Sequence, residues 1–492
     1  MRGFTRFLVA LGMTSASFGF ACPSNAQEAP GCAVGSGSAM SRYAAADQLQ
    51  SCLQPGPELS DAMRRLPAEL EPELMRLNGR LADLEAMRFS PATKLTGRTT
   101  FVLGGNAFSG SNTPLVKRAR AKEGATTFNF DAHLNFDTSF TGDDLLHIQL
   151  RAGNFAASAF GNYVALNQLE VAYEELCGEG RDCSDVVAIN RLFYRVPIGD
   201  HFTVTFGGKV RQDDMLAMWP SLYPADTILD YFTYTGAAGA YNTNLGAGAG
   251  LGWKNKGWSL SAQYIAYNGN VSIGTVEAVE TSTIQLGYVG GEGAWGAAVA
   301  FNYSSGIPGG VYPGSATPLA ALDTTVDPDL EEFGTNGGTS SLGLAAYWQP
   351  ARSGWIPSIS TGWGMNRVNP GFGVKGFDRL ITQSWYVGLQ WTDALEKGNS
   401  AGMAVGQPTF LTACGNSCAQ LLGPGQSSPR DGLFAWEWWY SVHMSDSITI
   451  TPALFYLSNL FGQLNRVLGE QAGISRPSFN NLGVLVKTTF RF

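Results

Sequence analysis

The chain is short of charge and shorter still of histidine. Among 492 residues only 15% are Asp, Glu, Lys or Arg, and four are His. His133, His147, His201 and His443 form no HExxH pattern, and no GxxxxGK[ST] loop occurs, so neither a zinc hydrolase nor a P-loop enzyme is expected. One GxSxG match spans residues 398–402, but it leaves a turn and enters a strand, the wrong context for a nucleophile elbow. The glycines of 246–252 alternate at a period of two rather than as GxGxxG, which reads as a strand with small residues on one face. No enzyme, metal centre or cofactor is therefore expected. Excess positive charge is also missing. The net charge is −8, and the two signal-region arginines, Arg2 and Arg6, make it more negative still on removal, which argues against nucleic acid as a partner.

A long apolar run is the third absence. After the first segment no stretch of about 18 apolar residues occurs, so no transmembrane helix is expected. That first segment has Arg2 and Arg6, an apolar run from Phe7, then Ser24-Asn25-Ala26, the layout of a secretory signal ending at residue 26. Acylation at Cys22 is the alternative, with bulky Phe20 against it. What remains is rich in glycine (61) and aromatics (12 Trp, 17 Tyr, 28 Phe), suited to many turns and a wall with aromatic belts.

Six cysteines follow the signal: Cys32, Cys52, Cys177, Cys183, Cys414 and Cys418. An exported chain with an even count favours disulfides over metal or redox chemistry, although free thiols remain the alternative. Cys177 with Cys183, and Cys414 with Cys418, would staple small loops.

Between 39 and 89 the pattern is helical. Leu70, Leu74, Leu77, Leu81 and Leu84 form a seam that fits a short coiled coil or a single amphipathic helix, with Pro67 and Pro72 breaking its upstream part. From residue 91 onward the period is two. Phe128, Phe130, Ala132, Leu134 and Phe136 oppose Asn129, Asp131, His133, Asn135 and Asp137, and segment after segment repeats that two-faced design. Such strands turn an apolar face either to a soluble core or, in a barrel, to lipid.

Connection lengths favour the barrel. A count gives about seventeen candidate strands, but short turns at 141–143, 198–200, 255–257, 291–293, 351–354, 396–398 and 445–446 alternate with long loops only if 166–175 is not a strand. Placing that segment in a loop leaves about sixteen antiparallel strands, an all-β transmembrane barrel over 91–492. The last strand, 482–492, has Phe490 and Phe492 on its apolar face, a handle for outer-membrane assembly machinery.

FSPATKLTG at 89–97, LFYRVPIG at 192–199, LDYFTY at 229–234, GMAVGQP at 402–408 and FAWEWWY at 434–440 resemble the cyanobacterial outer-membrane porins labelled iron uptake porins, within the carbohydrate-selective (OprB-like) porin family. The resemblance implies a diffusion pore for ions, iron or sugars in the outer membrane, and a homotrimer with 166–175 as a latch. It also implies a wall-binding S-layer homology region. Only 39–52, within a periplasmic segment 27–60 that precedes the helix at 61–90, looks like part of that region, so peptidoglycan binding is doubtful and a structural tether is the alternative function.

In a porin, selectivity is set by width and charge at the narrowest point. The connection from 212 to 243 follows the fifth expected strand and carries Asp213, Asp214, Asp226 and Asp230, with Trp219, Tyr223, Tyr231 and Tyr234 either as aromatic lining of the pore or as rings that pack the loop against the barrel wall. Across from them, Asp131, His133, His147, Arg151, Arg191, Arg195, Lys209 and Arg211 are expected to face the lumen. Acid opposite base would set up a transverse field, unless those acids merely cap turns or face bulk water.

Overall fold

The computed structural model describes residues 92–492 except 157, 162–165, 176–182, 227, 276, 308–309, 323–336, 353, 370–379 and 423–427. The expected signal (1–26), the segment 27–60 with Cys32 and Cys52, the helix 61–90, and Cys177 lie outside the described residues.

Sixteen strands, each paired antiparallel with its neighbours in sequence, close on themselves when the last pairs with the first. They are β1 (Thr93–Gly110), β2 (Thr126–Thr138), β3 (Leu145–Gly153), β4 (Ala188–Ile198), β5 (Phe202–Arg211), β6 (Leu245–Asn255), β7 (Trp258–Ala266) and β8 (Glu280–Gly290). Then come β9 (Trp295–Ser305), β10 (Gly338–Trp348), β11 (Ser358–Val368), β12 (Leu380–Thr392), β13 (Ser400–Ala413), β14 (Phe434–Ser445), β15 (Ile448–Ser458) and β16 (Phe479–Arg491). Closure pairs Thr100 with Thr489 and Leu103 with Val486. It continues past β16, where Gly97 and Phe492 exchange both backbone hydrogen bonds. Segment 166–175 joins no wall strand, as the parity argument required.

The alternation read from the sequence decides which face is which. Along β2, Phe128 is 64% exposed and Leu134 is exposed, while Asn129, Asp131 and His133 are buried. Ile284 and Leu286 of β8 and Leu482, Val484 and Val486 of β16 are likewise exposed, beside buried Thr283, Gln285, Asn481 and Lys487. Apolar-out, polar-in burial is stable only where the outer surface meets lipid. Phe490 faces outward and packs edge-on against Phe101 across the closing seam, and Phe492 is exposed beyond it.

Short turns join the strands at one end. At the first, Asp144 Oδ1 accepts from Phe140 N, Thr141 N and the Ser139 and Thr141 hydroxyls, and Gly142 takes a φ of 97° that suits glycine. The long connections gather at the other end and carry short helices: α1 (Pro114–Glu123), α2 (Gln212–Met215), α3 (Pro318–Ala321), α4 (Cys418–Leu422) and α5 (Gly462–Gln471). Thr113 caps α1 by accepting from Val116 N and donates to Asn465 of α5, so the first and last loops meet. Cys414 and Cys418 are joined in a disulfide, and Cys183 is disulfide-bonded.

Candidate pore constriction

The chain turns inward after β5. Asp214 Oδ2 accepts from Arg211 N at 2.9 Å and starts α2 at the barrel wall. The alternating glycines of β6 make room there: a Cβ on Gly250 would stand 2.9 Å from Met215 Cβ. Gln212 donates to Thr283 of β8, and Ala217 N to the Ser261 hydroxyl of β7, both across the lumen side. The segment then reaches the far wall. Leu222 N and Tyr223 N donate to Ser360 of β11, and the Ser221 hydroxyl meets the Tyr386 hydroxyl of β12. Glu437 of β14 takes the Tyr223 hydroxyl on one oxygen and Leu229 N on the other, each at 2.8 Å, while Trp439 Nε1 donates to the Tyr223 oxygen. On the way back Gly236 O accepts from Ser384, and the Tyr241 hydroxyl accepts from Gln285 of β8.

Between those hydrogen-bonding side chains, the wall that receives this loop is lined by glycine. A Cβ on Gly364 would lie 2.7 Å from Ala237 Cα, on Gly388 2.7 Å from the Tyr223 ring, on Gly343 2.7 Å from Ala240 Cβ, and on Gly362 in collision with the Thr235 carbonyl. A track of inward glycines on β10, β11 and β12 therefore lets backbone pack on backbone.

A second loop lies on the first. Leu169, within the connection after β3, forms an antiparallel bridge with Leu229, flanked by Glu170 N to Ile228 O (3.0 Å) and Asp230 N to Gln168 O (3.1 Å). Phe160 packs on Phe455 of β15, and both loops share one apolar core with Tyr223, Tyr231 and Phe232. The latch expected at 166–175 is thus turned inside the barrel, because its apolar residues find that core rather than an outer surface.

Several expected lumen residues are on the inner face. Asp131 is fully buried and accepts from Arg151 Nε at 2.7 Å. His133 stands between Asp131 (2.6 Å) and Arg98 (3.3 Å), and His147 meets Asp137 at 2.6 Å. Arg195 bonds the Thr205 hydroxyl and the Asp214 carbonyl. Lys209 is a correction. A bulge between Gly207 and Val210 shifts the alternation, so that Lys209 registers with outward Leu192 while Val210 is buried inside.

The acids do not all face bases across a gap. Asp213 pairs with Arg211 and Asp214 with Arg191 at 2.9 Å, on the same wall. Burial works against the Asp213 charge, yet the Arg211 guanidinium holds its carboxyl below the usual range. Asp226 does reach across: its carbonyl accepts from Lys487 and its carboxylate lies 3.6 Å from Arg491, both on β16. Asp230 accepts from the Tyr234 hydroxyl at 2.9 Å, and burial pushes its carboxyl up to about 7.

Of the two readings of the loop aromatics, packing against the wall is the one seen. Tyr223, Tyr231 and Tyr234 are buried, and Trp219 packs edge-on against Tyr241, so these rings hold the loop to the wall. Residues missed from sequence are Arg98, Glu170, Glu437 and Lys487. Glu437 had a readable signal, a carboxylate on the face opposite Phe434, Trp436 and Trp438. On the turn side of the loop two polar cavities open. One of about 450 Å³ is lined by Arg195, Thr203, Thr205, Asp213, Asp214 and Lys254; another of about 160 Å³ by Asp226, Ser441, Thr451, Lys487 and Arg491.

Two outcomes are expected. Gly362→Val should cost about 1–3 kcal/mol by overpacking and unseat the loop, seen as raised single-channel conductance and new protease cuts within 217–240. The second concerns Asp431, which ties three segments at the loop end by accepting from the Thr317 hydroxyl, Leu411 N and Gln463 N. Burial raises its carboxyl from 3.8 to about 6. A raised acid favours the fold most below pH 4 and loses that contribution as pH climbs through 6, about 3 kcal/mol in all. Hydrogen exchange at the loop end should accelerate over that interval, and Asp431→Asn should flatten the pH profile.

No family model matches the chain. An uncharacterized protein of Synechocystis sp. is 26% identical over 483 residues, spanning 89% of this chain and 82% of its own length. An uncharacterized protein of Nostoc sp. is 25% identical over 477 residues, spanning 86% and 74%. Among solved structures the chain is similar to Pseudomonas putida OprB at high pH (TM-score 0.49, 10% identity, covering 82% of this chain and 94% of that one). It is also similar to an anion-selective porin from Comamonas acidovorans (TM-score 0.45, 10% identity, 82% and 99%) and to Salmonella typhi OmpF in complex with daunomycin (TM-score 0.44, 12% identity, 81% and 97%).

Proposed function

We propose that the protein is an outer-membrane channel for passive diffusion of ions and small hydrophilic solutes. The observation that carries the reading is the inverted burial of a closed barrel, with polar strand faces turned inward and apolar faces exposed. Loops 154–187 and 212–244 narrow the interior between them, so small solutes are favoured over large ones. Charged side chains around that narrowing, with Arg98, Arg151 and Lys487 on the wall, suit ions better than an aromatic sugar track, since the candidate rings are buried. Passage of iron would then be unselective diffusion of small forms.

A homotrimer belongs to the same reading. Strands β16, β1, β2 and β3 contain no Trp or Tyr, whereas outward Tyr194, Trp258, Tyr288, Trp295, Trp363 and Trp436 mark the rest of the wall. Trp and Tyr favour the lipid headgroup level, so an arc with only Phe and aliphatic residues suits contact with another copy.

Purified protein in planar bilayers should give stepwise conductance; smooth leakage or none would defeat the channel reading. Native electrophoresis in mild detergent should show three times the chain mass. A monomer mass would remove the trimer and leave the channel.

A further inference from the structure

Three acids stand where the inward loops meet the wall, Glu437 and Asp431 buried and Glu170 partly so, and they are held differently. Glu437 accepts two hydrogen bonds and Asp431 three, as clasps do. Glu170 differs: its Oε2 is sealed from solvent with no hydrogen-bond partner. An oxygen left without a donor in such a place is costly, so Glu170 is less firmly clasped than Glu437 or Asp431.

Its surroundings say what the position offers. From the wall, Arg151 of β3 donates to the Val171 carbonyl next to Glu170 at 3.5 Å, and the charges of Arg98 on β1 and Lys487 on β16 also favour its ionised form, with Asp226 opposing. Asp230, one residue past the Leu169–Leu229 bridge, lies diagonally across it from Glu170 and feels the charges of Arg151 and Arg211. The neighbouring acids are already engaged. Asp131 takes Arg151 and, with Arg98, brackets His133; Asp213 and Asp214 take Arg211 and Arg191. Lys487 donates to the Asp226 carbonyl, and on the loop that carries Glu170, Glu174 accepts from Ala156 N and Glu175 from the Tyr173 hydroxyl.

We propose that Glu170, together with Asp230, sets the charge selectivity of the channel: a carboxylate pair tethered by two loops against the basic wall, where it competes with permeating anions for Arg98, Arg151 and Lys487. The inference rests on the channel reading above. Burial raises both carboxyls, Asp230 to about 7, so they gain protons as pH falls through neutrality. A neutral pair leaves the positive field of the wall stronger for passing anions, although each wall cation keeps its own partners; an ionised pair weakens that field.

The test is the reversal potential of the full chain in a tenfold KCl gradient at pH 5.5 and 8.5. Wild type should prefer chloride at pH 5.5 and lose that preference several-fold at pH 8.5. Glu170→Gln with Asp230→Asn should prefer chloride at both, while Glu292→Gln, in an exposed turn, should keep the wild-type shift. A pH shift that persists undiminished in the double variant would overturn the proposal and pass the effect to His133; a wild type without any shift would overturn it too. Should the double variant fail to assemble, Glu170→Gln alone decides: loss of most of the shift supports the proposal, and full retention refutes it. Absence of conductance in wild type would strike the channel reading, a distinguishable failure.

Discussion

Everything inside the barrel depends on one steric constraint: the loop after β5 packs against wall positions that carry glycine in place of a side chain. Gly343, Gly362, Gly364 and Gly388 leave the space, and Glu437 fixes the loop once it is there. Backbone polar groups entering a barrel must be satisfied, and the far-wall serines supply much of that need, with Ser360 taking Leu222 N and Tyr223 N and Ser384 donating to Gly236 O. Removing the acceptor at 437 would strand Leu229 N and the Tyr223 hydroxyl at about 1–3 kcal/mol each, a large share of what holds any loop.

The charges follow from where that loop lies. Its first acids, Asp213 and Asp214, stay near β5 and neutralise Arg211 and Arg191 in place. Only after the crossing do Asp226 and Asp230 arrive opposite the other basic side chains, and the second loop adds Glu170 through the Leu169–Leu229 bridge. In the proposed channel a transverse arrangement of acid and base would thus be made by two loops, not by one loop and the wall alone.

The fold was highly legible in the sequence because lipid and water impose opposite demands on alternate residues. Phe128 and Asn129 could not exchange faces without cost, and the seven short turns fix the parity of the strands between them. Lys209 escaped that logic, since a bulge changes the face without changing the composition of the strand. Segment 166–175 was placed correctly as a loop but turned the wrong way, because no periodicity tells whether an apolar loop packs inward or outward. The tyrosines of 223–234 stayed open between pore lining and wall packing for a related reason: an aromatic with a polar tip suits either a wet surface or a buried site with a hydrogen-bond partner such as Glu437. Glu170 had no local signal at all, for its significance comes from strands β1, β3 and β16.

The central claim is that permeating solutes pass between the seated loops and the basic wall. It is tested most directly by placing single cysteines at Arg151 and Asp226, with Ser109 at the loop rim as reference, and adding a charged thiol reagent during current recording. The account predicts a sharp loss of current after modification at 151 and 226 and little change at 109. Unaltered current at both inner positions, with labelling confirmed by mass, would contradict it.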